Sequence, residues 1–208
     1  MKEERRQFFE RIDGDQYRDY ILSHCSQDYE KVKRSLERLM DNRFMFDSPW
    51  DMEPCSKIHQ IQPMVWNQVF EDDPEWAYML NRQEYLLQFM IGYLVEGDKG
   101  YIQKCKFFLF DWIEQVREFR PQSLMTRTLD TGIRSFTWLK LLLLLLKFDL
   151  LEDEELENIL VSLEKQIDFM KSHYRAKYTL SNWGILQTIP MLAIYHFFSD
   201  KMDLEEAY

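Results

Sequence analysis

The sequence predicts an all-α protein built of antiparallel helical hairpins, and three observations carry that prediction. Apolar residues recur at three-to-four spacing through most of the chain, and the β-branched runs and period-two alternation of strands are missing. The third observation is the stretch Thr126 to Asp149, where Leu139 and Leu141 to Leu146 are broken only by Lys140 and Lys147. A helix apolar on every side needs neighbours all round, so this stretch reads as an inner helix. Its first half differs. Arg127, Asp130, Arg134 and Trp138 stand at spacings of three and four, which puts two guanidinium groups, a carboxylate and an indole on one helical face. Two guanidiniums are not buried without partners, so this polar end is expected to face a cavity or groove.

The remaining elements follow in order. Lys2 to Arg11 and Gln27 to Asp41 have helical composition, the second with Tyr29, Val32, Leu36 and Met40 near helical spacing. Arg43 to Cys55, RFMFDSPWDMEPC, has two prolines, three aromatics and no helical period, and reads as extended or looped. That segment is either a plug over one end of a helical domain or a ligand-facing wall. Asp73-Pro74-Glu75 starts a helix, with proline at the first turn and a carboxylate beside it, expected to run to Glu96. Gly97-Asp98 ends that helix and opens a second, Lys99 to Phe119, antiparallel to the first because the connection is short. After Arg120-Pro121-Gln122-Ser123 comes the inner helix. The acidic run Glu152 to Glu155 then starts a helix reaching Tyr174, with Leu156, Ile159, Leu160, Leu163, Ile167 and Met170 in period. Arg175 to Gly184 breaks helical character, Ile185 to Phe198 resumes it with a kink or restart expected at Pro190, and Met202 to Tyr208 begins a partner. Helical hairpins of this kind stack as an open solenoid or curl into an α/α toroid, and no short solenoid repeat is visible.

Composition bounds the function. The 208 residues, 46% apolar and 15% aromatic, suffice for one substantial core, and no low-complexity tract marks a linker. A net charge of −10 opposes binding to nucleic acid, whose affinity comes from clustered lysine and arginine. An anionic ligand is still compatible with a locally basic groove, which Arg82, Arg127, Arg134, Arg175 and Lys177 would supply. Cys25, Cys55 and Cys105 lack CxxC spacing, and His24, His59, His173 and His196 show no paired spacing, so neither a metal nor another cofactor is signalled. The charged start MKEERRQFFERIDGD is no export signal, and the leucine run is shorter than the roughly 18 residues a membrane span needs. The chain as written therefore reads as soluble and cytoplasmic, with no membrane partner.

Four motifs, RFMFDSPWDMEPC, DPEWAYMLNRQEYL, TRTLDTGIRSFTWLK and LSNWG, occur in an order and spacing that resemble the heparinase II/III family of polysaccharide lyases, over roughly residues 43–198. The resemblance implies an incomplete α/α toroid followed by a β-sandwich domain, with substrate in the cleft between them. On that basis residues 1–42 are amino-terminal outer helices and residues 43–208 part of the toroid, the carboxy-terminal part and the sandwich lying beyond. The implied chemistry is β-elimination on a uronic-acid polysaccharide, heparin-like or heparan-like. A base removes the C5 proton while donors neutralise the neighbouring carboxylate and spread the developing charge.

By this resemblance Asn182 in LSNWG matches the charge-neutralising asparagine; the residue type equally suits a cap for the following helix. Arg127 and Arg134 are candidates for a carboxylate or sulfate, with Asp130 able to satisfy Arg134 across one helical turn instead. Trp138 and Trp183 either stack on sugars or belong to the core, and Asn81 and Arg82 are either groove residues or ordinary helix surface. Relatives carry a histidine-containing stretch after this motif where the chain has Ile185 to Pro190, and no residue here matches the family's proton-transfer groups. The portion is thus expected to bind an acidic polysaccharide or oligosaccharide without turning it over, in a parent enzyme that is a carbon–oxygen lyase. Such a parent is periplasmic or secreted if a leader has been removed. The alternative is a non-catalytic helical-hairpin scaffold for a peptide or protein. A hydrolase built on Asp47, Asp51 and Asp130 would need two acids facing one cleft.

Overall fold

The computed structural model describes residues 3–47 and 54–202. Among these the fold is mostly α, with nine α-helices and one two-stranded sheet, arranged as two compact units. One unit is continuous, from Asp13 to Val116. The other joins the first dozen residues to Arg117 onward.

In the continuous unit α2 (Gly14–His24) begins at Asp13, whose carboxylate accepts from the Asp15 and Gln16 amides. α3 (Ser26–Met40) buries Tyr29, Leu36 and Leu39. Two short strands follow, β1 (Arg43–Phe46) and β2 (Cys55–Gln60), paired antiparallel with an irregularity between Phe44 and Phe46. This corrects the expectation of a strand-free chain. Four residues on one side and the largely polar CSKIHQ on the other are too short for an alternation to show. Phe44 is fully buried, its ring 5.3 Å from Tyr85 and 5.5 Å from Phe108, so the hairpin is held by aromatic packing. Of the aromatic segment between the strands, residues 48–53 lie outside the described residues, Asp51 with them.

The single helix expected from Pro74 to Glu96 is two. α4 (Pro74–Arg82) opens as predicted, with Asp73 accepting from the Glu75 amide, and ends at Gln83, which adopts the left-handed conformation at φ 57°. α5 (Leu86–Glu96) resumes and closes on Gly97, also left-handed. α6 (Lys99–Gln115), capped by Asp98, ends four residues before the expected Phe119 and packs on α5 as the hairpin reading requires.

Glu96 ties this unit together. It accepts from the Tyr29 hydroxyl at 2.8 Å and the Tyr101 hydroxyl at 3.0 Å, with Lys33 at 3.6 Å. Burial pushes Tyr101 up to about 12, reinforced by that hydrogen bond, and raises Tyr29 for the same two reasons. A folded-state pKa above the unfolded one contributes stability that is complete below about 10, the unfolded tyrosine value, and is lost as pH rises through the folded value. Thermal melts between pH 9 and 12 are accordingly expected to show an alkaline loss of stability that Tyr29→Phe with Tyr101→Phe diminishes. An unchanged alkaline limb in that double variant would refute the assignment.

The other unit contains α1 (Glu3–Arg11), α7 (Thr128–Lys147), α8 (Asp153–Ser172) and α9 (Asn182–Phe198), with a 3-10 turn at Ala176–Tyr178. α7 is the inner helix predicted from its leucines: Leu139, Leu141, Leu142, Leu143 and Leu145 are all buried. α8 opens on a capping box, Glu152 and Glu155 exchanging side-chain and backbone bonds. α1 is anchored by Arg5, whose guanidinium donates to Asp200 at 2.6 and 2.7 Å and to the Phe197 carbonyl.

α7 meets α9 backbone to backbone. A Cβ on Gly132 would lie 2.2 Å from the Leu186 carbonyl oxygen, so only glycine permits this approach. Leu186 stands four residues before Pro190, which has no N–H to offer that carbonyl. α9 nevertheless runs through Pro190 without restarting, and the Leu186 carbonyl oxygen lies at the close approach to Gly132. Of the helix expected beyond Met202, residues 203–208 lie outside the described residues. No described helix is long and apolar enough to cross a membrane.

Candidate functional site

The predicted site residues fall in both units. In the continuous unit, Asn81 is wholly buried, and its amide nitrogen donates to the Trp66 carbonyl at 2.7 Å and the Ala77 carbonyl at 2.8 Å. Its oxygen accepts from the Trp112 indole at 2.9 Å, so one amide joins α4, α6 and the segment before α4. Arg82 is buried too and pairs with Glu75 at 2.7 Å on its own helix. Both look like polar interruptions of a helix surface in the sequence; both are interior joints. Asn81→Ala leaves the buried Trp112 indole N–H without its acceptor, and an expected loss of about 2–4 kcal/mol, from the unmet donor and the cavity, is readable by urea denaturation.

The other unit holds the rest. Arg134 is fully buried and engaged on every nitrogen: Nε donates to Gln166 Oε1 at 3.1 Å, Nη1 to the Met125 carbonyl at 3.0 Å, and Nη2 to Thr131 Oγ1 at 3.1 Å. Ser135 donates to the same Gln166 oxygen at 3.0 Å. Burial pulls the Arg134 guanidinium down to about 9 against the opposing influence of Asp130, so it remains cationic at neutral pH. Trp138, one helical turn on, is 1% exposed and belongs to the core.

Asp130 is wholly buried and holds Arg127 in a bidentate pair through Nε and Nη2. Arg127 sits at the head of α7, still 21% exposed, with its guanidinium carbon 5.5 Å from the ring centre of Trp183. A buried carboxylate thus fixes a half-exposed arginine, and the arginine lies against a half-exposed indole.

Asn182 is the first residue of α9. The cap position belongs to Ser181, whose hydroxyl donates to the Tyr178 carbonyl at 2.9 Å. The Asn182 side chain is exposed and makes no hydrogen bond among the described residues, which leaves its two amide donors for a ligand. Arg127, held by Asp130 at the head of α7, thus meets Trp183 at the head of α9, where Asn182 is the preceding residue; Arg134 is buried one turn beyond Asp130.

The sequence reading missed Tyr174 and Tyr178. Tyr178 lies in an offset stack on Trp183, ring centres 5.2 Å apart at 30°, and Tyr174 meets Tyr178 edge-on at 6.4 Å. The available signal was three aromatics within ten residues, exactly where helical character lapses. Among the described residues no group of three or more His, Cys, Asp or Glu is placed to hold a metal ion.

Comparison with known proteins bears on the same region. The family described as Heparinase II/III N-terminus matches residues 16–202. No curated protein and no solved structure matches the chain.

Proposed function

The chain belongs to the heparinase II/III amino-terminal family and is a polysaccharide-lyase-related domain, and from that premise we propose that it holds uronic-acid-containing, heparin-like or heparan-like polysaccharide for cleavage by β-elimination. The observation that carries the reading is the exposed, unengaged amide of Asn182, the residue before the Trp183 that Arg127 lies against. Removing a proton from the carbon next to a carboxylate builds negative charge on the carboxylate oxygens. An amide fixed in the first turn of a helix offers two N–H donors to that charge without carrying charge of its own. Arg127, oriented by Asp130, adds a cationic edge for a carboxylate or sulfate, and Trp183 an apolar face for a sugar ring. Arg134 acts indirectly in this proposal, by holding the Met125 carbonyl and the first turns of α7. Asn81, Arg82 and Trp138, being interior, support the fold.

The groups that move the C5 proton, and the second wall of the cleft, come in this reading from a carboxy-terminal β-sandwich. Residues 1–208 alone are then expected to bind without turnover, as part of an α/α toroid in an exported parent.

A second reading, a scaffold for a peptide or protein, has one observation in its favour: Ile185, Ile189 and Leu192 follow one exposed face of α9. Titration calorimetry at low, constant salt separates the two, using heparan-type, hyaluronan-type and alginate-type oligosaccharides with Asn182→Ala as comparison. The lyase-related reading predicts uronate-dependent binding, weakened about tenfold in the variant as a charge-assisted hydrogen bond is lost. Indifference of the folded chain to all three glycans would favour the scaffold.

A further inference from the structure

The stack beside Asn182 has more parts than the proposed carboxylate contact uses. Tyr178 and Trp183 are each only half-buried, yet their geometry is fixed by backbone rather than by burial. The Tyr178 carbonyl accepts both the Ser181 amide and the Ser181 hydroxyl, each at 2.9 Å. A Cβ on Gly184 would sit 2.2 Å from that same carbonyl oxygen, so the 3-10 turn lies directly on the first turn of α9. This clasp holds the two rings together before any ligand arrives. Cations border both: Arg127 lies 5.5 Å from the Trp183 ring centre, and the exposed Lys177 Nζ lies 5.4 Å from that of Tyr178. Two rings held half in water by a rigid turn do little for the core. They suit a ligand with an apolar face and a charged rim.

We propose that Tyr178 and Trp183 together form the stacking wall for the neutral amino sugar next to the uronate held by Asn182, and that Lys177, at the Tyr178 edge of the wall, meets the acidic unit beyond it. The inference rests on the saccharide-binding reading and adds a second contact region to it: the wall takes the face of the neutral ring, and Lys177 the carboxylate of the acidic unit that follows. Preorganisation matters here, since a turn already fixed loses little side-chain freedom on binding. Arg127 borders the Trp183 side of the wall, two of its donors held by Asp130.

The test compares two probes of equal length on the full chain: a heparosan hexasaccharide, alternating glucuronic acid and N-acetylglucosamine, and neutral chitohexaose. Tyr178→Ala is expected to weaken heparosan binding about five- to tenfold, the scale of one lost aromatic contact, while Tyr178→Phe stays within about twofold of wild type. Lys177→Gln is expected to lower heparosan affinity about threefold, flatten its salt dependence, and leave chitohexaose binding where it was. Melting curves of each variant exclude misfolding as the cause. If Tyr178→Ala binds like wild type while Asn182→Ala binds weakly, the wall is refuted and the saccharide-binding reading stands. Equal losses in Tyr178→Ala and Tyr178→Phe would assign the effect to the hydroxyl and overturn stacking. A wild-type chain that binds neither probe overturns the reading and the wall together.

Discussion

Arg134→Ala is expected to destabilise the protein by about 3–5 kcal/mol, the cost of removing one partner from a buried charged network. The guanidinium binds oxygen atoms of Gln166 on α8, of Thr131 on its own helix, and of the Met125 carbonyl in the segment leading into α7. Its removal opens a cavity and strips the Met125 carbonyl and Thr131 hydroxyl of their donor. Asp130 stays buried and paired with Arg127 but loses the favourable field of the second guanidinium. Arg134→Lys should recover little, because an ammonium cannot reproduce the planar fork that reaches these acceptors. Chemical denaturation of both variants decides the point. A loss below about 1 kcal/mol for Arg134→Ala, the range of a surface substitution, would show that the network is not what holds α7 to α8.

Gly132→Val should also be damaging, through the opposite error. Its Cβ would have to lie 2.2 Å from the Leu186 oxygen, a backbone atom that no rotamer change moves aside. α7 and α9 must separate, and overpacking of a tight contact costs about 1–3 kcal/mol or more. The same separation displaces the head of α9, where Asn182 and Trp183 sit, so saccharide binding should fall along with the melting temperature. Gly132→Ala should produce the same pattern at smaller amplitude. A Gly132→Val protein with unchanged melting temperature would mean that the helices do not meet at this glycine.

What the sequence revealed and what it hid follow physical lines. α7 and α8 were legible because burial on a helix leaves a periodic trace, and the cap at Asp73-Pro74 because capping chemistry is local. α2 was missed because it buries no residue, so Tyr17, Tyr20 and Leu22 carry no stripe to read. The break between α4 and α5 was missed because Gln83 takes a left-handed conformation with neither glycine nor proline nearby to announce it. The polar residues of α7 stand out in the sequence, but their surroundings do not. Arg134 finds Gln166 thirty-two positions away, and no local pattern distinguishes a guanidinium that faces a groove from one that is satisfied inside. Asn182 was found through a family motif. That it heads a helix with Ser181 as the cap, leaving its amide outside, is a fact of backbone placement.

The central claim is that the Asn182 amide receives the carboxylate of a uronic acid. Side-chain amide resonances of the 15N-labelled chain, with Asn182→Asp used to assign the Asn182 signal, test it directly. The account predicts that this signal shifts progressively as heparosan hexasaccharide is added and stays in place when the same oligosaccharide has its carboxylates reduced to alcohols. A signal that does not move with the acidic sugar, or that moves equally with both, would contradict it.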